Sequence, residues 1–451
     1  MIVLAGEDLM LSEADNETIC RVGKGTFMGD LMREYWLPFA LASELEPDCD
    51  PLRIMLLGER FLAIRTTSGK AVLMDETCPH RGASMWYGRN EREGIRCVYH
   101  GWKFDGSGAC VDMPNEPVGS NFKDKVRLPT YPVAEAGGLV WAYIGPRVTP
   151  PPMPAFEWFD NPEGVSSAWA FQRECNWLQA LEGDIDTSHF GFLHVGHADP
   201  GDAPEGSFLR YAIEDRAPRY KVLDTEFGAT YGAYREAGSP DSLYWRFAHF
   251  LFPFYTMVPT GVLGTKSQLR AWVPMDDTHT MAFHSAPSAR RYTAPASQKV
   301  GITEREATAT KFLPNTTDWF GRFRITARVE NDHLIDRALQ RSGESYTGLA
   351  GVNVEDQAIT ESMGPIFDRT REHLGSSDVM VIRVRRRLLA AARALAADGV
   401  VPPAVDAPQA YQQRSGGIVL PADADWMEAT AELRTTGVEH PELDPSMAGG
   451  A

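Results

Sequence analysis

Residues 78 to 102 read CPHRGASMWYGRNEREGIRCVYHGW. Cys78 and His80 stand one residue apart, sixteen residues intervene, and Cys97 and His100 stand two apart. Four metal-binding side chains on two short loops constrain a fold more than any periodicity does, because the loops have to converge.

Two occupants compete for such a set. Tetrahedral zinc takes two cysteines and two histidines at one atom, whereas a Rieske cluster gives both cysteines to one iron and both histidines to the other. Zinc fingers pair like with like locally; here each loop supplies one thiol and one imidazole. That arrangement favours a compact Fe2S2 unit whose two metals are reached from both loops. Gly82 and Gly101, just after the histidines, let the backbone approach closely and leave amides to bond the sulfides.

A chain of 451 residues supports two or three domains and a core that needs no staples. Six scattered cysteines do not make a disulfide scaffold, which points to a reducing cytoplasm. The opening MIVLAGEDLMLSEADNE meets acid early and makes a poor signal peptide. The most apolar run, 247 to 263, is short for a membrane span and holds two prolines. A net charge of -17 argues against nucleic acid and suits a basic protein partner.

Residues 17 to 36 read as helical, and short alternating runs cut by glycines follow, as in a small antiparallel β domain. RVTPPPMPAF, 147 to 156, reads as a linker. Beyond it come a helical pattern over 174 to 194, strand patterns from 208 to 287, and helical patterns over 323 to 340, 354 to 367 and 377 to 398. The last has Ser377 and Asp378 as cap candidates and stops at Gly399. Strands in a block with helices around them predict an α+β domain.

NWLQALEGDIDTSHFGFLHVGH, 176 to 197, carries Asp186, His189 and His194. At about 100° per residue, His194 would point roughly 140° away from His189 on an unbroken helix, so a bulge or break near Gly191 is required to aim both at one metal. Two neutral histidines and one carboxylate form the facial triad of non-haem ferrous oxygenases, which leaves positions for dioxygen. GVNVEDQAITESMGPIFD, 351 to 368, offers Glu355, Asp356 and Glu361 for the carboxylate, with Asp356 ahead of Glu355. The other histidines read as structural.

These pieces, with YWLPFAL, EAGGLVWAYIG and EDQAITESMGPIFDRTREHLGSSD, resemble the Rieske non-haem iron oxygenases, large subunit of the phthalate dioxygenase type. The resemblance implies a Rieske β domain over 37 to 147 and a helix-grip, START-like catalytic domain over 148 to 451, with residues 1 to 36 a helical segment packed on the latter. It makes Cys78, His80, Cys97 and His100 the [2Fe-2S] ligands, and His189, His194 and Asp356 the ligands of a mononuclear Fe(II). Asp186 matches the bridging carboxylate between His189 and a cluster histidine, His100, of the next subunit in a head-to-tail trimer. One departure is that Glu182 and Gly183 stand where some relatives have asparagine, leaving open a role for Asn176 or Glu182 near the iron.

The implied activity is cis-dihydroxylation of an aromatic acid such as phthalate with O2. O-demethylation or monohydroxylation of a methoxylated acid, and a Rieske electron carrier or ligand-binding protein without oxygenase activity, are the alternatives. No nicotinamide or flavin fingerprint is evident, so an NADH-dependent reductase carrying flavin and a plant-type [2Fe-2S] centre is expected as a separate chain. Arg210, Arg235 and Arg246 fall in the strand patterns and read either as a solvated strand face or as candidates to pair with a substrate carboxylate, Arg210 and Arg246 first among them. The run YWRFAHFLFPFYTMVP, 244 to 259, reads as a flat pocket wall or a buried strand pair. RVRRR, 383 to 387, reads as an exposed helix side or a docking patch for a redox partner.

Overall fold

The computed structural model describes residues 10–159, 167–287, 310–438 and 440. Residues 1–9 of the stretch read as a poor signal peptide lie outside the described residues. Among the described residues no helix is long and apolar enough to cross a membrane. Strands and helices are numbered along the chain.

The metal loops sit on two small sheets. Strands β2 (Leu52–Leu56), β3 (Glu59–Arg65), β4 (Ala71–Asp75) and β9 (Thr130–Tyr131) form one antiparallel sheet. Strands β5 (Arg89–Glu91), β6 (Gly94–Arg96), β7 (Lys103–Asp105) and β8 (Cys110–Asp112) form the other. In β3 the run Phe61 to Ile64 is wholly buried because both faces of its sheet are covered. Phe61 and Ala63 enter the main core, while Leu62 and Ile64 join a smaller core with Met74, Cys78, Ile95, Cys97, Trp102 and Phe104. Strands β1 (Leu37–Leu41), β10 (Val133–Ala136) and β11 (Leu139–Ala142) form a third sheet whose apolar side chains belong to the main core.

The larger sheet is antiparallel and runs in the order β12 (Ser167–Arg173), β18 (Thr280–Ala286), β17 (Leu269–Pro274), β16 (Tyr255–Met257), β15 (Ser242–Leu251), β14 (Gly228–Glu236), β13 (Arg219–Asp224), with β19 (Gly416–Pro421) paired to β15. Helix α7 (Val379–Asp398) packs against β13 and β14 and against α1 (Glu13–Cys20) and α2 (Phe27–Arg33). It buries Met380, Val384, Leu388 and Ala392, a stripe at every fourth residue, and ends at Gly399 with φ +64°. The architecture is the expected α+β combination of a Rieske β unit and a helix-packed antiparallel sheet.

Several local expectations are corrected. The segment 17 to 36 is two helices parted at residues 21–26, where Thr26 caps the second. Residues Phe208–Glu214, placed in the strand block, form helix α4, capped by the Ser207 hydroxyl accepting from Arg210 N. Over 323 to 340 only α5 (Arg337–Ser342) is an α-helix; Asp332, His333 and Leu334 all have positive φ. The proline stretch is pinned, since Trp36 Nε1 donates to Pro151 O and Arg147 pairs with Glu34 and Asp406.

RVRRR is not one exposed side. Arg385 is buried and reaches Glu182 and Glu372, and Arg369 reaches Glu182 at 3.1 Å. A carboxylate that accepts from two buried guanidiniums is matched in charge, so Glu182 serves as a clamp between α3 (Trp177–Asp184) and α7. Burial works against its ionised form, and Arg369 and Arg385 still hold its pKa below the usual value. Asn176 caps α3 at Leu178 N and donates to Cys20 O and Asp277 O. Both residues flagged for a role near the iron are therefore occupied by structural bonds.

Candidate active site: two sets of metal-binding side chains

The first set lies on the β4–β5 and β6–β7 loops, which are built alike. Cys78 N donates to Ala83 O and Cys97 N to Trp102 O, each at 2.8 Å; Gly82 N donates to Cys78 O and Gly101 N to Cys97 O, each at 3.0 Å. Gly101 has φ +79°, and a Cβ there would meet Pro114 Cγ at 2.6 Å, so the second loop admits only glycine. Both thiols are buried, whereas His80 and His100 are part-exposed with ring centroids 4.4 Å apart and His80 stacked on Trp102. Thiols inside and imidazoles at the surface suit a two-metal unit with one iron per ligand type better than a single ion. Burial, with Cys97 beside it, pushes the Cys78 thiol up to about 11, so a bound metal would be what makes this residue a thiolate.

The second set is made by breaking a helix. Helix α3 stops at Asp184, whose carboxylate accepts from Arg270, Trp272 and Thr256. Asp186 Oδ1 then accepts Ser188 N at 2.7 Å and Ser188 Oγ at 2.6 Å, a side-chain turn that competes with the helix. A short 3-10 turn, His189–Gly191, follows, and Val195 N donates back to Phe190 O, five residues earlier. This wider turn brings His194 round to His189. The expected irregularity exists, though it begins before His189 as well as near Gly191.

Helix α6 (Val352–Ser362) supplies the acids, Glu355 from its first turn and Asp356 just after it. His189 Nε2 and His194 Nε2 lie 3.1 Å apart, and Asp356 Oδ1 is 3.7 and 3.1 Å from them. These three form a group able to hold one ion. Glu355 takes the other side of the His194 ring, with Oε2 2.8 Å from Nδ1. Glu361 is elsewhere, bonded to His333 Nε2 at 2.7 Å. Burial disfavours an imidazolium at His194, yet Asp356 and Glu355 hold its pKa up at about 10. Burial also opposes the Asp356 carboxylate, which His194 and His189 hold well below the usual range. Such a donor set demands a positive charge at its centre, and a divalent metal fits it. Asp186 Oδ2 stands 3.5 Å from His189 Nδ1 on the outer side of that ring.

A family model for the Rieske [2Fe-2S] domain matches residues 35–132, and one described as LigXa C-terminal domain like matches residues 142–448. The chain belongs to the Rieske non-haem iron oxygenases. It is an oxygenase subunit of the phthalate dioxygenase type, and its cofactors are a Rieske [2Fe-2S] cluster, rather than zinc, and a mononuclear iron. It is 46% identical to the 3-chlorobenzoate-3,4-dioxygenase oxygenase subunit of Comamonas testosteroni, over 94% of this chain and 98% of that protein. It is 36% identical to the phthalate 4,5-dioxygenase oxygenase subunit of Pseudomonas putida, over 86% and 88%. Its fold is similar to the oxygenase in an oxygenase and ferredoxin complex of carbazole 1,9a-dioxygenase, with TM-score 0.50 at 20% identity, covering 83% of this chain and 94% of that one.

Beside the triad of this Rieske oxygenase lies a buried cationic face. By strand register, Tyr220, Tyr231, Arg235, Tyr244 and Arg246 project from one side of β13, β14 and β15. Arg246 is buried; its Nη atoms donate to Thr187 Oγ1 (2.7 Å) and Pro259 O (3.0 Å), and its guanidinium sits 3.4 Å from the centre of the Phe208 ring. Thr187 adjoins Asp186, and Phe190, also near this guanidinium, packs on His194. Arg235 is 0% exposed, its Nε donates to Asp215 O, and neither Nη has a partner among the described residues. Burial lowers the pKa of both arginines, that of Arg246 to about 10.

Arg210 departs from expectation. It sits on α4, not on a strand, and is taken up by Glu214 and Pro200 O. Of the three, Arg235 alone leaves both Nη groups without a partner among the described residues, and no local pattern in the sequence separates it from the others. A cavity of about 220 Å³ is lined by Phe208, Tyr244, Pro259, Val262 and Ile418.

Proposed function

We propose that this Rieske oxygenase subunit cis-dihydroxylates a single-ring aromatic acid, with Cys78, His80, Cys97 and His100 holding the cluster and His189, His194 and Asp356 holding the iron. When bound, the cluster supplies electrons one at a time and the ferrous ion supplies open positions for dioxygen.

The chain's own residues choose the substrate and its pose. Arg235 receives the carboxylate through both Nη groups, the bidentate match a guanidinium makes best. Arg246 adds charge and its remaining Nε, and its bond to Thr187 ties the acid anchor to the segment bearing Asp186 and His189. Phe190, Phe208 and Tyr244 supply aromatic walls, and the adjoining cavity takes ring substituents. Anchored at one end, the ring presents a fixed pair of carbons, so pose selects the product. The observation that carries the acid is Arg235, a buried cation whose two Nη groups meet no acceptor among the described residues. The names of the chlorobenzoate and phthalate relatives agree with it.

Asp186 accepts from His189 Nδ1 and, across the subunit boundary of a trimer or stacked trimers, from His100 of the partner subunit; within the chain's described residues the His100 Nδ1 has no partner. A separate cytoplasmic, NADH-dependent reductase with flavin and a plant-type [2Fe-2S] centre recharges the cluster; the ferredoxin complex of the structural neighbour supports a separate donor. The test is substrate-dependent oxygen uptake, with reductase and NADH, over chlorobenzoates, phthalate isomers and methoxybenzoates. A cis-diol is expected. Formaldehyde from a methoxylated acid, or uptake indifferent to the carboxylate, overturns the reading.

A further inference from the structure

Glu355 directly precedes Asp356 on α6, and both of its oxygens are engaged away from the metal side of the triad. It is buried; its Oε2 faces His194 Nδ1 at 2.8 Å, and its Oε1 accepts from Thr347 Oγ1 at 2.6 Å. Thr347 belongs to the loop between α5 and α6, and its hydroxyl is itself fixed by accepting from Leu349 N at 3.1 Å. The neighbouring Tyr346 packs on Gly196 and on the His197 ring, so one loop braces both Glu355 and the end of the histidine segment.

We propose that Glu355, held by Thr347, is the positioning residue for His194, fixing its tautomer and ring plane, and is not an alternative metal ligand. A carboxylate only accepts, so Nδ1 carries the hydrogen bonded to Glu355, and with a metal bound it is Nε2 that offers its lone pair on the side of Asp356 and His189. Consecutive residues on a helix diverge by about 100°, and the His194 ring fills the angle between them. Asp356 meets its inner nitrogen and Glu355 its outer one. The chemistry separates the two acids: one is shared by both imidazoles, the other is committed to an imidazole N–H and a hydroxyl. This inference rests on the triad reading above.

The test uses the full chain with its cluster in place, comparing Glu355→Gln, Glu355→Ala and Thr347→Val for Fe(II) affinity by chelator competition and for the ligand-field spectrum after Co(II) substitution. The visible absorption of the cluster reports folding in each variant. Glu355→Ala is expected to weaken Fe(II) binding roughly ten- to hundredfold. Thr347→Val weakens it less, and Glu355→Gln, whose amide oxygen still accepts from Nδ1, keeps most of the affinity and the parent Co(II) spectrum. Wild-type affinity in Glu355→Ala overturns the proposal, as does a Glu355→Gln variant that loses iron as completely as Asp356→Ala. Retention of the mononuclear iron in both His194→Ala and Asp356→Ala instead overturns the triad itself.

Discussion

The Nε2 atoms of His189 and His194 stand 3.1 Å apart, both facing Asp356 Oδ1. Two imidazole lone pairs and a carboxylate so close repel one another unless a cation lies among them. His189→Ala is therefore expected to lose the mononuclear iron and substrate-dependent oxygen uptake while the visible absorption of the [2Fe-2S] cluster persists. Metal analysis and spectroscopy on one sample check both halves.

A buried guanidinium with two unmatched Nη groups costs stability until an anion arrives. Arg235→Met is expected to raise the melting temperature of the substrate-free protein and to lower kcat/KM for the acid roughly hundredfold, the loss of a charge-assisted bidentate pair. The acid should stabilise the wild type against heat and leave the variant unmoved. Calorimetry with and without acid reads both effects.

Asp186 lies outside the triad, against His189 Nδ1. Asp186→Asn is expected to keep both metal centres and to slow oxidation of the reduced cluster by dioxygen and substrate by roughly ten- to hundredfold. Rapid-mixing absorbance of the cluster in a single turnover measures it.

His249 is buried between Thr230 Oγ1 and Arg414 O, and burial holds its pKa down at about 4, below the ordinary 6.5. The unfolded chain therefore takes up this proton first. The contribution is fully present above about 6.5 and is lost as pH falls through about 4. Its size is about 3 kcal/mol. Urea unfolding between these pH values should show that slope, and His249→Gln should lack this part of it.

Arg385 joins α7 to Glu182 on α3 and to Glu372. Arg385→Met leaves Glu372 without this partner and is expected to cost about 3 to 5 kcal/mol in unfolding free energy. Fe(II) affinity below the unfolding range should stay unchanged, because the clamp touches neither metal set.

The sequence carried some of this plainly. The helical pattern over 377 to 398 closing on Gly399 announced α7, and the short apolar runs cut by glycines, Phe61 to Ile64 of β3 among them, announced sheets. Phe208–Glu214 misled because a short apolar run has no clear period, and only the Ser207 cap makes it a helix. Arg385 misled because charge in a run of arginines reads as solvated until Glu182 and Glu372, far along the chain, are seen to face it.

By itself, the sequence determined the metal-binding side chains: thiols and imidazoles alternate on two glycine-bearing loops, and His189 and His194 stand on a segment whose helix has to break near Gly191 to aim both at one metal. Only the tertiary structure set Asp356 against both imidazoles and Glu355 behind one of them, and left Arg235, of Arg210, Arg235 and Arg246, with both Nη groups unmatched among the described residues. Neighbours of like chemistry are indistinguishable along a chain. They are separated by which of them meets a partner when the chain is packed: His194 lies between the two acids, and of the three arginines Arg235 alone bonds through neither Nη among the described residues.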